Sequence, residues 1–401
     1  MDKMAQTIRE NNHPHQPPPF LRGGYRPFFL GGASWALIVV CLWVAALSGA
    51  VTLPTAFDPL AWHRHEMLFG YLGAVIAGFL MTAIPNWTGR LPIAGSRLAA
   101  LAGLWLAARL AVLSSAYVGP VVALIVDVGF LLVLFAVCAR EVISAKNRNF
   151  PVVVVIFLFA MASALDHAEA LGVALPPGLG WRTGFALVLM LISLIGGRII
   201  PSFTRNWLSK QGRTTGLPGQ PALFDKICLA ATAVAVGGWS LFPDGQPIAI
   251  LLLAAGAAQA VRLVRWSGYR TWRDPLVVIL HVAYAWLPLG LLLLGASIIT
   301  PAVPATAALH ALSAGAMASM TLAVMTRATL GHTGRALRAD RATVAIYAFV
   351  TLGAAIRVAA PFLPFDYMRS IELAGALWGG AFLLFLISYG PKLVGARPDG
   401  P

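Results

Sequence analysis

The stretch Phe57-Asp58-Pro59-Leu60-Ala61-Trp62-His63-Arg64-His65-Glu66-Met67 opens an apolar run that continues to Ile84. Asp58 is a good helix N-cap and Pro59 suits the first helical position. At about 1.5 Å per residue, the run from 62 to 84 is long enough to cross the ~30 Å hydrocarbon core of a bilayer. Comparable runs recur along the rest of the sequence. They predict twelve spans, at 28–50, 62–84, 97–115, 118–140, 150–173, 182–203, 223–243, 246–264, 275–299, 304–326, 342–360 and 370–391. Of the 401 residues, 59% are hydrophobic and 11% charged, whereas a soluble domain carries about 25% charged residues. The apolar runs are continuous rather than alternating, which argues against a β-barrel. The fold class expected is therefore all-α: a polytopic membrane protein whose partner is the lipid bilayer. A polar tail over 1–27, expected to be disordered, precedes a transmembrane domain over 28–391, and 392–401 form a short C-terminal tail.

The formal net charge of +14 invites a nucleic-acid reading, but the distribution of the cations argues against one. Of the 29 Lys and Arg, 24 fall in the N-terminus, the even-to-odd connections, the adjoining span ends or the C-terminus. Arg64, Arg182 and Arg369 fall on the other side, and Arg109 and Arg357 lie within spans. That asymmetry follows the positive-inside rule and predicts that both termini are cytoplasmic, in a bacterial inner membrane. Topology accounts for the charge without a polyanionic partner.

Cys41, Cys138 and Cys228 stand alone, and no CxxC occurs. This excludes thiolate clusters built from local motifs and haem attached through CxxCH. The first twenty residues lack the apolar core of a signal peptide. Their His13 and His15 read as incidental tail residues. A faint internal echo links the ends of spans 2, 6 and 10: Ile84-Pro85-Asn86-Trp87-Thr88-Gly89-Arg90, Arg198-Ile199-Ile200-Pro201, and Met325-Thr326-Arg327 with Gly331-His332-Thr333-Gly334-Arg335. A stride of four helices would mean three four-helix units around a pseudo-threefold axis. The alternative is that helix ends at one interface share Pro, Gly, Trp and Arg.

Six of the eight histidines lie in or beside spans. Imidazoles are costly in hydrocarbon, and several at one depth point to a metal or haem. His63 and His65 on span 2, His167 on span 5 and His310 on span 10 all fall roughly 10 Å beneath the outer helix ends. His63 and His65 are roughly 200° apart around a helix and face different neighbours. One suits a haem and the other a second site. Met67 shares a face with His63, a soft pair for copper, and Glu66 suits a supporting or proton-relay role. Arg109 and Arg357 are candidates for haem propionates, or else pair with Asp127, Asp166 or Glu169. At the inner side His281 shares a face with Tyr284 and Pro288, and His332 follows span 10. Each is a candidate second metal ligand, with a hydrogen-bonded turn as the alternative for His332.

The chain resembles the NnrS family of bacterial membrane proteins. The resemblance rests on Tyr25-Arg26-Pro27-Phe28-Phe29-Leu30, Trp62-His63-Arg64-His65-Glu66-Met67-Leu68-Phe69-Gly70 and Pro85-Asn86-Trp87-Thr88-Gly89-Arg90. It continues in Gly196-Gly197-Arg198-Ile199-Ile200-Pro201, Leu280-His281-Val282-Ala283-Tyr284-Ala285-Trp286 and the run from Val324 to Arg335. It implies a protein containing haem and copper that relieves nitrosative stress in denitrifying or nitric-oxide-exposed bacteria. The implied partners are nitric oxide or a related small molecule and an electron donor. A more distant architectural resemblance is to the catalytic subunits of haem–copper oxidases, in which histidines of the second and tenth helices hold a low-spin haem. Here those helices carry His63 or His65 and His310. Spans 6 and 7 contain no histidine where the oxidases place copper ligands, a departure that argues against an oxygen-reducing binuclear centre.

The reading is a b-type haem held by His65 and His310 between spans 2 and 10, with copper at His63 or His167 on the outer side or at His281 on the inner. Such a haem would pass electrons, respond to nitric oxide or turn it over. Two rival classes remain. One is an anion or small-molecule transporter with Arg198, Arg205 and Arg327 along its path. The other is a haem- or copper-handling assembly factor.

Overall fold

Helix ends are set by short polar signals between long apolar runs. Asp58 accepts from the backbone N–H groups of Leu60 and Ala61 at one such start, and Asp274, Asp340 and Asp366 cap three others. Gly89, at a φ of 69°, ends the helix opened by Asp58 in the left-handed conformation that glycine adopts without steric cost. The computed structural model describes residues 17–398. Among these, twelve helices are long and apolar enough to cross a membrane: α1 Tyr25–Leu47, α2 Pro59–Thr88, α3 Ser96–Leu113, α4 Pro120–Ser144, α5 Phe150–Ala170, α6 Leu179–Lys210, α7 Leu223–Leu241, α8 Gln246–Arg270, α9 Pro275–Ile299, α10 Ala305–His332, α11 Arg341–Phe362 and α12 Tyr367–Val394. No strand occurs among the described residues. Each helix coincides with an expected span to within a few residues, except that α2, α6, α8 and α10 run on beyond the apolar core at the arginine-rich end. The chain is an all-α, multi-pass membrane protein. Its helix flanks carry exposed Leu106, Leu110, Val121, Ile125, Ile250 and Ile387, an apolar surface that lipid would cover.

Most of the polar tail expected to be disordered, with His13 and His15, lies outside the described residues. Residues 17–27, the described part of that tail, are packed on the fold. A single turn at Pro19–Leu21 precedes α1, and the Leu21 carbonyl accepts from Gly95 N–H ahead of α3. At the other end, α12 continues to Val394. Buried Arg26 on α1 donates through Nη1 to the carbonyls of Leu393 and Gly395, each at 2.7 Å. The first and last helices are thereby joined, and α12 packs along α1.

Three helices occupy the centre. The most apolar windows of α2, α6 and α10 are 72%, 61% and 67% buried, against 33% for α3, α8 and α12. The same three helices, four apart in sequence, each contain a π-helical stretch: Glu66–Leu72, Ile192–Gly196 and Ala311–Met317. Glycine stands five residues after the residue preceding each stretch, at Gly70, Gly196 and Gly315. A Cβ at these positions would meet Glu66, Arg109 and Trp35, the Tyr284 ring, and the Trp286 ring respectively. Close approach of a neighbouring side chain, not a turn, fixes glycine there. The four-helix stride seen in the helix-end sequences therefore has a second, independent expression in backbone geometry.

Buried polar clusters also recur within α2–α5, α6–α9 and α10–α12. Across α2–α5 the cluster comprises His65, Glu66, Arg109, Asp127, Ser163, Asp166 and His167. Across α6–α9 Arg262 is bound to Asp225, the Ser193 carbonyl and the Tyr284 hydroxyl, and Gln259 bridges Ser193, Thr232 and Tyr284. Across α10–α12 Thr326 pairs with Tyr347, and Thr343 with Tyr389. Lipid supplies no hydrophobic drive between helices, so such hydrogen bonds and close packing hold the bundle together.

Candidate metal centre

The cluster between α2 and α5 is the most highly charged of the three. Asp127 on α4 is fully buried. Its Oδ2 lies 3.1 Å from His65 Nε2 and 3.1 Å from His167 Nε2, and accepts from Ser163 Oγ at 2.8 Å. Its other oxygen pairs with the Arg109 guanidinium. Arg109 also binds Glu66 at 2.6 Å, and Glu66 accepts from the Trp35 indole at 2.5 Å. On the far side of the His65 ring, Nδ1 lies 2.8 Å from Asp166 Oδ2. Phe57 and Phe69 pack against the His65 ring at 5.0 Å each, and Phe57 also covers His167 at 5.2 Å.

Local sequence explains how α5 contributes. Ser163, Asp166 and His167 fall at i, i+3 and i+4, one face of a regular helix. On α2 the π-helical stretch begins immediately after His65. It turns Glu66 toward Arg109 and leaves His65 facing α4 and α5. π-Helical stretches recur at functional sites.

Two features of this cluster call for positive charge. Three carboxylates (Glu66, Asp127 and Asp166) face one guanidinium, so neutrality at the site calls for protons on these groups and the imidazoles or for a bound cation. In addition, a neutral imidazole has one N–H to give, yet His65 has a carboxylate on each side. A second ring proton on His65 or a divalent cation answers both. One donor atom from each of His65, Asp127 and His167 lies within 4.8 Å of the others. Ligands at 2.0–2.2 Å from a common ion sit roughly 3–4 Å apart, so small rotations would close the set. Two imidazoles and a carboxylate suit a first-row transition metal such as copper or iron.

His63 faces elsewhere, as its angular separation from His65 requires. It stacks on Trp43 at 4.8 Å and lies within electrostatic range of His310 and Arg357. Its Nδ1, together with Arg357 Nη1, Arg64 Nε and Trp378 Nε1, is buried without a hydrogen-bond partner. His310 Nδ1 is 2.7 Å from the Thr306 carbonyl, which leaves Nε2 as its available nitrogen. Unpartnered imidazole and guanidinium nitrogens in one buried region fit a ligand carrying both a metal and carboxylates, as haem does.

The expected single layer of four histidines thus resolves into two pairs, His65 with His167 and His63 with His310. This corrects the sequence-based assignment of His65 opposite His310: both His65 nitrogens face carboxylates, and His63 is the span-2 imidazole near His310. For Arg109 the pairing alternative holds: Glu66 and Asp127 take its two terminal nitrogens, and only Nε lacks a partner. Met67 packs into the apolar core, while His63 stacks on Trp43, so the two do not form the expected soft pair. At the arginine-rich end, His281 Nε2 is 2.8 Å from Thr204 Oγ1, and its ring fills the space left by Gly268. His332 packs on Tyr25 at 5.4 Å. These two histidines have separate partners and form no common site. Arg198 donates to Asn149, Arg205 to the Pro218 carbonyl, and Arg327 covers the Phe203 ring. All three cations proposed to line a transport path are thus engaged. Glu169 accepts from Gly178 N–H at the start of α6. Asp127 and Asp166, which sequence reasoning treated as charge partners, prove to be central to the histidine cluster. The Ser163-x-x-Asp166-His167 spacing is a signal that could have singled out Asp166, whereas no local pattern marks Asp127.

Fold and centre together define a polytopic helical membrane protein with a buried histidine–carboxylate cluster. A family model described as NnrS protein matches residues 19–397. The chain therefore belongs to the NnrS family, whose name fits a function related to nitric oxide. No curated protein matches the chain.

Proposed function

We propose that this protein is a haem- and copper-binding protein of the bacterial inner membrane, with cytoplasmic termini, that relieves nitric oxide stress through redox chemistry. The observation that carries the reading is the fully buried His65–Asp127–His167 set, whose donor atoms lie within 4.8 Å of one another. The clusters in the other helix groups join helices without bringing two imidazoles onto one carboxylate, and burying this much charge is expensive.

In this reading His65, His167 and Asp127 hold copper. Asp166 fixes the orientation and tautomer of His65 through Nδ1, as outer-shell carboxylates do. Arg109 holds Asp127 and Glu66 in place and limits the negative charge at the site. Phe57 and Phe69 keep water from the His65 ring. His63 and His310 would hold a b-type haem and Arg357 would offset its carboxylates; Trp43 stacks on His63. Bound metal and haem would supply one-electron chemistry with nitric oxide, fed by an external electron donor. The engaged state of Arg198, Arg205 and Arg327 weighs against the transporter reading.

Visible spectroscopy and metal analysis of the purified protein test the proposal. A Soret band, a sharp reduced α-band and stoichiometric copper are expected. A colourless, metal-free preparation that binds neither on reconstitution would overturn it.

A further inference from the structure

The three π-helical stretches meet around one cavity. Leu72, the last residue of the α2 stretch, Ile192, Ile195 and Gly196 of the α6 stretch, and Met317, the last residue of the α10 stretch, all line it. Its volume is about 90 Å³. The remaining wall is aliphatic or aromatic apart from Thr321. The Thr321 hydroxyl donates to the Ala318 carbonyl at 2.9 Å and pairs with the Tyr71 hydroxyl. Its one hydrogen is taken, which leaves at most one lone pair for a guest.

This chemistry restricts the occupant. A buried water needs two to four polar partners, and the lining provides at most one, a lone pair of Thr321. An ion has no counter-charge there. A haem is far larger than the space, and a polar metabolite finds almost no hydrogen-bond partner. The space is partly open, with half-buried Ile76, Phe79, Ile199 and Val324 on its wall; an enclosed apolar cavity of about 150 Å³ stays dry and takes xenon or benzene. At the smaller volume here, a neutral atom or diatomic molecule is the fitting guest. Tight packing could have closed the space, because Met317 and Met320 are flexible and line it.

Its location adds a reason for the space to persist. His65 and His310 are the residues immediately before the α2 and α10 π-helical stretches, and Leu72 and Met317 end them. The cavity therefore lies roughly 10 Å along the helices from each of the two histidine pairs. We propose that it is a binding site for a neutral diatomic gas of the nitric oxide class, shared between the two centres. This rests on the redox reading above and adds where the gas resides before it reaches either centre. A gas site within the bundle would draw on the bilayer, where such molecules concentrate relative to water because they are apolar.

Xenon is the probe, since it needs neither metal nor turnover. Crystals of the full-length protein pressurised with xenon should show an anomalous peak within the wall formed by Leu72, Val188, Ile195 and Met317. Val188→Phe should abolish the peak by filling the space, with Val324→Phe as the second variant should the first fail to fold. Xenon bound only elsewhere, ordered water or a lipid chain in the cavity, or a peak that survives in a folded filled variant would each overturn the inference. Metal and haem analysis of the same preparation separates the two proposals. Metals without xenon in the cavity defeats the gas site alone, and xenon in the cavity of a protein that takes up no metal defeats the redox reading alone.

Discussion

Replacing Asp127 by Asn keeps the side-chain shape and removes one charge. In the structure that carboxylate meets Arg109, His65, His167 and Ser163 within one buried shell. The hydrogen bonds alone are a modest loss, since side-chain bonds within membrane bundles average about 0.6 kcal/mol and reach about 1.7. Breaking a buried ion pair by removing one partner is the larger effect, about 3–5 kcal/mol, because the other charge stays buried. Here Glu66 remains on Arg109 at 2.6 Å, so the lower end, about 3 kcal/mol, is expected. Metal retention should suffer more, because loss of an outer-shell partner alone lowers metal affinity about 10–100-fold and Asp127 would be a direct donor in the proposed centre. Unfolding in detergent, followed by helical circular dichroism with and without chelator, gives the first quantity, and metal analysis after dialysis gives the second. Ser163→Ala is the control: it removes one hydrogen bond to the same carboxylate and should cost about 1 kcal/mol or less. An Asp127→Asn protein as stable and as metal-replete as Ser163→Ala would refute the placement of Asp127 at the centre of a charged site.

Three further outcomes follow from packing and capping. Gly70→Ala would push a methyl group onto the Glu66 carboxylate and to 2.5 Å from Arg109 Nη1. It should cost about 1–3 kcal/mol of stability and weaken metal retention together, as overpacking at a fixed backbone does. Arg26→Met deletes the two 2.7 Å bonds to Leu393 and Gly395. A loss of about 3 kcal/mol is expected, read as lowered thermal stability and faster proteolysis at the end of α12. Asp340 caps α11 by accepting from the backbone N–H and hydroxyl of Thr343, which hold its carboxyl below the ordinary value of 3.8. The cap's contribution, about 1 kcal/mol, is therefore complete above that ordinary value and fades as pH falls through the lower folded-state value. Asp340→Ala should reduce stability at neutral pH and flatten that acid-side decline in denaturation curves.

The spans were legible because bilayer thickness imposes a length on every apolar run, and Asp58, Pro59 and Gly89 mark helix ends through local chemistry. The three-unit stride showed only faintly in sequence, since the π-helical stretches that express it leave no more than a glycine at Gly70, Gly196 and Gly315. The site was half legible. Spacing alone required His63 and His65 to face different neighbours, but not which of them turns toward His310. That choice depends on rotational phase, and on how α4 presents Asp127 from a distant part of the chain. Arg109 shows the same limit: its burial was evident from its place in span 3, whereas its pairing with Glu66 and Asp127 is set by the packing of α2, α3 and α4.

The central claim is that two separate centres exist, one on His65, His167 and Asp127 and the other on His63 and His310. Haem and non-haem metal should be quantified side by side in wild-type, His167→Ala and His63→Ala proteins. The account predicts a crossed result, in which His167→Ala loses the non-haem metal and keeps its haem spectrum, while His63→Ala loses haem and keeps the metal. Both variants losing both together, or neither losing anything, would contradict it.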